Sequence, residues 1–460
     1  MRKAFRLSLF AALVIPSLAA TQERIDGPPP QVRTLIQSFV KAVNADPAAF
    51  EAMAKEHFAP TYLAKHTAAD RVRLHAEIRK QFGTITLDRV TRDGPEEPLE
   101  LNVKGSSDTG TISLTTDPGS PFKISGIKIG AGVGQRGRGG RGGLAAPIDP
   151  GMTNEALAKA LDGHLARLAA EDTLSGAVLV AKKGQPVFQK AYGLADRGNN
   201  IVNTIDTRFN LGSINKKFTE IAIGQLIAEG KLAGTDTIGK FFADYAQALS
   251  RSATVEQLLR HTGGIADFFG DEFAKTAKDR FRSNADYFAL VSRLPPLFEP
   301  GARNQYCNGC YITLGAIIER ASGMPYERYV AERVFQPAGM TNTGYPQSDG
   351  IEAALARGYT RRTGDGTLRS NIFAHGAAGS AAGGGYSTLS DLLAFANALR
   401  AGRIPNARAD AGVGIAGGAP GTNAVLESNA TWTVIVLTNL DPPAGEQIGV
   451  GIMRALDRNQ

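Results

Sequence analysis

TRFNLGSINKKFTEIAIGQLIAEGKL, residues 207–232, carries the pattern from which the rest of the chain is read. A short apolar stretch reaches Gly212. A largely apolar helix is then predicted from about Ser213 to Glu229, closed by Gly230. Ser213 stands at the predicted helix start, and a spacing of three puts Lys216 on the same face one turn along, within reach of the serine hydroxyl. A serine hydroxyl is a poor nucleophile without a base. A lysine in an apolar pocket can supply one, because burial disfavours the ammonium form. The positive end of a helix also favours a developing oxyanion. Taken alone, Ser-x-x-Lys reads equally as an N-cap serine followed by a solvated lysine, so the setting has to decide.

Further along, FEPGARNQYCNGCYITLGAIIERASG, residues 298–323, presents Tyr306 and Asn308 two apart, ahead of an apolar helix expected over Ile312 to Ala321. In extended backbone that spacing points both side chains to one side. A phenol beside an ammonium group can be held as phenolate and pass protons, while the Asn amide can bind a substrate carbonyl. Cys307 and Cys310, the only two cysteines, form a C-x-x-C that is able to pair in an oxidising compartment. No βαβ pattern precedes them, so they do not read as a thioredoxin-like redox site.

Upstream of this region, EALAKALDGHLARLAAE reads as an amphipathic helix. GAVLVAKKGQPVFQKAYG reads as two strands joined at a Lys-Gly turn. Earlier still, three helices (PPPQVRTLIQSFVKAV, PAAFEAMAKEHF and TAADRVRLHAEIRKQFG) precede four alternating strands (TITLDRV, LELNVKG, GTISLTT and FKISGIKI). His57, His66 and His75 in this unit recur every nine residues, which on a helix puts successive members on opposite faces, so they read as ordinary histidines and no metal site is expected. The domains expected are therefore an α+β unit at 28–130, a Gly/Arg-rich linker at 131–150 and a second domain at 151–460.

The first twenty residues read as a signal peptide. Arg2, Lys3 and Arg6 precede an apolar run from Leu7 to Leu18 that ends in Ala19 and Ala20. Pro16 breaks the run, which falls short of the ~18–20 apolar residues of a membrane span, so no integral span is expected. No cysteine lies near the cut, against a lipoprotein. The mature protein is expected to be periplasmic or secreted. The formal charge of +7 includes the three leader cations and Arg136, Arg138 and Arg141 of GQRGRGGRGG. That run reads as a flexible linker rather than a nucleic-acid segment.

Taken in order, GAVLVAKKGQPVFQKAYGLAD, FNLGSINKKFT, TVEQLLRHTGGI, FEPGARNQYCNGCYITLGAIIE, VFQPAGMTNTGY and GGGYSTLSDLLAFANAL resemble the penicillin-recognising serine hydrolases, in the branch of class C β-lactamases, serine DD-peptidases and related esterases. The resemblance covers residues 155–460. It implies a β-lactamase-like α+β fold, an antiparallel sheet flanked by helices with an all-helical subdomain, and no cofactor. By the same resemblance Ser213 is the acylated nucleophile, Lys216 its base, Tyr306 the carrier of a proton to the leaving group, and Asn308 a substrate-positioning residue. The backbone N–H of Ser213 would form half of an oxyanion hole, with Gly418 supplying the second N–H. The pattern of residues 28–130 in turn resembles the cone-shaped fold of the nuclear-transport-factor-like proteins, which leaves the ligand or partner of that unit open.

The chain departs from the family where a Lys or His, a variable residue and a Gly line the site. GIAGGAPGTNAVLE is the best match, and it places Ile415, Ala416 and Gly417 there. His261 in LLRHTGG is read as a packing residue of a family loop, and the Arg403–Ala411 connection is shorter than usual. A missing cation matters most for substrates bearing a carboxylate. The expected function is therefore hydrolysis of a small-molecule or peptide ester or amide through an acyl-enzyme, by an esterase, peptidase or weak β-lactamase. The alternative is a catalytically degenerate binding or sensing module. An α/β-hydrolase is excluded because no G-x-S-x-G occurs in the chain.

Overall fold

A computed structural model of the chain describes residues 30–91, 99–106, 109–117, 120–131, 146–149, 151–245, 248–351, 354–362, 366–407 and 412–458. The leader expected at 1–20 and most of the linker expected at 131–150 lie outside them. The chain divides into two compact units, Met1–Gly142 and Gly143–Gln460. No helix among the described residues is long and apolar enough to cross a membrane.

In the first unit, helices α1 (Pro30–Asn44), α2 (Pro47–His57), α3 (Pro60–Lys65) and α4 (Ala68–Phe82) precede strands β1 (Ile85–Thr91), β2 (Leu99–Gly105), β3 (Thr109–Asp117) and β4 (Ser120–Ala131). The strands form one antiparallel meander in chain order. One helix more is present than the periodicity predicts. The addition, α3, is six residues begun by a proline, too short to show a period. Thr67 and Asp70 close a capping box on α4, and Gly83 ends it at φ 69°. Val32, Leu35, Ile36, Phe39 and Val43 of α1 share one apolar core with the alternating Leu99, Leu101 and Val103 of β2. His75 is a core residue, with Nε2 3.1 Å from Val43 O. Among the described residues no group of three or more His, Cys, Asp or Glu is placed to hold a metal ion.

The second unit is built on a five-stranded antiparallel sheet. Among shorter helices and strands, its main elements are α5 (Asn154–Ala170), β5 (Gly176–Lys182), β6 (Gln185–Tyr192), α6 (Asn215–Ala228), α7 (Asn308–Ser322), α8 (Leu389–Arg400), β7 (Val413–Ala419), β8 (Thr422–Ser428), β9 (Trp432–Thr438) and α9 (Ala444–Asp457). The strand order is β7-β8-β9-β5-β6, so the two ends of the unit meet in the middle of the sheet. Lys183 and Gly184 turn β5 into β6 with φ of 50° and 79°, a turn the right-handed twist of the strands favours.

Both central strands are buried on both faces, which is why they read as continuous apolar runs. Val178, Val180, Val434 and Val436 point to α5 and α9. Ala177, Leu179, Ile435 and Leu437 point the other way, into the larger core that holds α6, α7 and α8. There α7 is buried from Gly309 to Ile318, and Phe218 of α6 packs edge-on against Phe335 and Phe395 at 4.9 and 5.1 Å.

Helix α5 carries one local inconsistency. Gly163 is exposed in its interior, and an added Cβ would meet nothing within 4 Å. Glycine costs a helix about 0.5–1 kcal/mol relative to alanine. Gly163→Ala is therefore expected to stabilise the protein by that amount, read as a raised midpoint in urea; a lowered midpoint would contradict the placement of Gly163 in this helix.

Candidate active site

Gly212 takes φ +50°, in the left-handed region that favours glycine, and its N–H donates to Asn210 Oδ1 at 2.8 Å. The left-handed residue breaks the chain into a 3₁₀ turn, Gly212–Ile214, before α6 begins at Asn215. The serine thus sits on this turn rather than at the first residue of a regular helix. The spacing still carries Lys216 back to it: Lys216 Nζ donates to Ser213 Oγ at 3.1 Å.

Lys216 is only 6% exposed. Its other contacts are Asn308 Oδ1 at 2.8 Å and the Ala382 carbonyl at 2.6 Å, so each ammonium hydrogen has an acceptor. Burial lowers its pKa to about 7, against the pull of the Asp267 and Glu220 carboxylates, which favour the charged form. Near neutrality this amine sheds a proton, and its lone pair then faces the serine hydroxyl.

Tyr306 also reaches the serine, its hydroxyl donating to Ser213 Oγ at 2.5 Å, and the Lys216 ammonium lies 4.7 Å from its ring centre. Burial raises its pKa above the ordinary tyrosine value, a shift that the bond to Ser213 opposes and the charge of Asp267 reinforces. It is therefore a phenol at neutral pH. In that state its hydroxyl hydrogen is available to Ser213. His261 supports the ring from behind, 4.9 Å away, and its Nδ1 accepts from Cys307 N at 3.2 Å. Burial and then Lys216 lower the His261 pKa, which keeps that nitrogen an acceptor.

Asn308 is the first residue of α7, which starts four residues earlier than the apolar pattern indicates, because Cys307 caps it. Cys307 and Cys310 are joined in a disulfide that brackets Asn308, with Cα atoms 5.3 Å apart. Both ends of the Asn308 amide are engaged: Oδ1 accepts from Lys216, while Nδ2 donates to Asp267 Oδ2 at 2.7 Å. A carboxylate only accepts, so Asp267 fixes which way the amide points. Its other oxygen accepts from Phe269 N at 3.0 Å. Asp267 went unnoticed in the sequence, where a lone acid in GGIADFF carries no periodic or motif signal.

Strand β7 closes the site along the edge of the sheet. A Cβ on Gly417 would stand 2.0 Å from Leu211 O and 2.8 Å from Ser213 N, and one on Gly212 would stand 2.9 Å from Gly418 N. Strand and serine turn meet through main-chain atoms, with no side chain between Gly417 and the Leu211–Ser213 backbone. Ser213, Tyr306, Asn308, Gly417 and Gly418 all line one cavity of about 910 Å³. Ile415, at the position of the expected cation, packs against the core, and Ala416 meets the cavity instead. The segment Ser380–Gly385 holds the other flank, where Gly385 N donates to the buried Asn215 Oδ1 and Leu211 N to Gly385 O.

Three comparisons agree with this geometry. A family model described as Beta-lactamase matches residues 161–432. Esterase EstB of Burkholderia gladioli is 30% identical over 308 residues, covering 58% of this chain and 77% of that protein. Putative penicillin-binding protein PbpX of Bacillus subtilis is 31% identical over 185 residues, and the match spans 40% of this chain but only 45% of that relative. Among solved structures, a penicillin binding protein from Bacillus halodurans superposes with a TM-score of 0.56 at 28% identity, over 64% of this chain and 99% of that one.

Two readouts test Asp267. The acid limb of kcat/KM in the natural protein is expected near pH 7, where Lys216 loses its proton. Asp267→Asn removes a charge that favours the ammonium and frees the Asn308 amide to turn. The acid limb should move to lower pH, while kcat/KM at its plateau falls about 10- to 100-fold, the worth of one hydrogen bond to a charged group. An unchanged limb together with an unchanged plateau would remove Asp267 from the site.

Proposed function

We propose that this chain, which belongs to the beta-lactamase family, is a serine hydrolase that cleaves an ester or amide lacking a free carboxylate, through a covalent acyl-enzyme on Ser213. The observation that carries the reading is the convergence of Lys216 Nζ and Tyr306 Oη on the Ser213 oxygen, at 3.1 and 2.5 Å.

The steps follow from the proton positions. Neutral Lys216 takes the hydroxyl proton of Ser213 as Oγ bonds to the substrate carbonyl carbon. The carbonyl oxygen gains the negative charge and lies against the backbone N–H groups of Ser213 and Gly418. As the bond to the leaving group breaks, Tyr306 gives its proton to the departing oxygen or nitrogen. The lysine ammonium replaces that proton. Water then releases the acyl group with the same residues in reversed roles.

The absence of a cation at Ile415 sets the substrate preference. One electrostatic or proton-handling group is worth roughly 10² to 10⁴ in rate, so its loss lowers turnover of carboxylate-bearing substrates such as β-lactams without dismantling the acylation machinery. We place the activity outside the cytoplasm, on the leader pattern of residues 1–20 and the Cys307–Cys310 disulfide, which an oxidising compartment maintains.

The test is incubation of the mature protein with p-nitrophenyl esters and a fluorescent penicillin, followed by mass spectrometry of the labelled peptide. Ester turnover with an acyl adduct on Ser213, both lost in Ser213→Ala, is the expected result. Labelling of Ser213 without turnover would favour a covalent binding module, and neither labelling nor turnover would sink the hydrolase reading.

A further inference from the structure

The mouth of the active-site cavity is lined by large apolar side chains that water still reaches. Ile201 is 54% exposed, Val202 61%, Phe269 50% and Ile372 47%, and all four line the cavity that contains Ser213. They come from three separate segments of the chain. Scattered single apolar residues on a surface need no explanation, but several converging on one concave site mark where an apolar partner is received. Phe269 is also fixed in place. Its N–H donates to Asp267, the residue that orients Asn308, and its ring lies 4.0 Å from that of Phe268 in the cavity wall, tilted by 33°.

Charge on the cavity wall points to the same class of ligand. Among the described lining residues Arg357 is the one Lys or Arg, and its Nε lies 3.6 Å from Asp196 Oδ2, another lining residue. A second carboxylate, Glu446, also lines the cavity. His375 donates from Nε2 to Pro420 O at 2.9 Å, and burial lowers its pKa, so it adds no positive charge at neutral pH. An anionic chain entering here would meet two carboxylates and one cation that is already paired. An uncharged hydrocarbon chain would meet Phe269, Ile372, Ile201 and Val202, and would remove their apolar surface from water.

Resting on the hydrolase reading above, we propose that the substrate is an ester whose acyl chain is an extended, uncharged hydrocarbon running from Ser213 out along this apolar mouth. The ester bond reacts at Ser213, and the chain supplies binding energy remote from the reacting carbon.

The experiment is a series of p-nitrophenyl esters from acetate through butyrate and hexanoate to octanoate, each below its solubility limit, with one further ester whose acyl chain ends in a carboxylate. kcat/KM is expected to rise about two- to four-fold per added methylene, as burial of a CH₂ group provides. The carboxylate-terminated ester should fall below its uncharged counterpart of equal length. Phe269→Ser and Val202→Ser, on different segments, should each lower the octanoate-to-acetate ratio of kcat/KM by about ten-fold. Efficiency that is flat or declines with chain length, in a protein that does turn over acetate, overturns this inference and leaves the hydrolase reading intact. Preference for the carboxylate-terminated ester overturns this inference together with the exclusion of free carboxylates proposed above, and leaves acyl transfer at Ser213 standing. Failure of every ester, with no adduct on Ser213, overturns both.

Discussion

A lysine side chain shut away from water is the constraint around which the second unit is arranged. An ammonium group without partners in an apolar interior would cost several kcal/mol, so Lys216 survives there only because three acceptors meet it. They come from three separate parts of the chain: the Ser213 turn, the first residue of α7, and the Ala382 carbonyl. Satisfying one amine thus fixes the relative positions of α6, α7 and the Ser380–Gly385 segment. The same burial lowers the pKa of the amine to about 7. Structure and the proposed reactivity have one cause, since the desolvation that demands three partners also loosens the hold of the lysine on its proton.

Close backbone packing is the second requirement. The turn at Gly212 and the strand at Gly417 approach so nearly that a single Cβ on either side would collide with main-chain atoms. Glycine on both sides lets an edge strand lie directly against the Ser213 turn, and in the proposed reaction the backbone N–H groups of Ser213 and Gly418, two cavity-lining residues, receive the oxyanion. Their partial charges are fixed before any substrate arrives, which is the condition under which such groups lower a barrier. The disulfide between Cys307 and Cys310 acts on the opposite wall, tying down the backbone on either side of Asn308.

Asp267 joins these two themes to the binding surface. One carboxylate oxygen sets the orientation of the Asn308 amide, and the other holds the backbone of Phe269 at the cavity mouth. Chemistry at the serine and recognition at the rim therefore share a support. The exchange of a cation for Ile415 belongs to the same pattern, because a side chain that packs into the core leaves the cavity wall to Ala416 and to backbone.

Local features were legible in the residues alone. The alternation of Leu99, Leu101 and Val103, the capped period of Ala68–Phe82, the Lys183-Gly184 turn and the pairing of Ser213 with Lys216 at a spacing of three all depend on interactions within a few residues. Ordered motifs extended that reading to Tyr306, Asn308 and the glycines of β7. What the sequence left undetermined depends on groups far apart along the chain. Whether Tyr306 is phenol or phenolate is a balance between burial and charge that only the packed site fixes. That Asn308 spends both ends of its amide on Lys216 and Asp267 rests on contacts across 92 and 41 residues. Asp267 itself left no trace in the pattern. Sequence by itself determined individual strands, most of the helices it addressed and the spacing that brings Lys216 to Ser213, because periodicity and short spacing are local. Tertiary structure decided the protonation states, the orientation of the amide and the character of the cavity, because desolvation and hydrogen-bond geometry exist only once distant segments have come together.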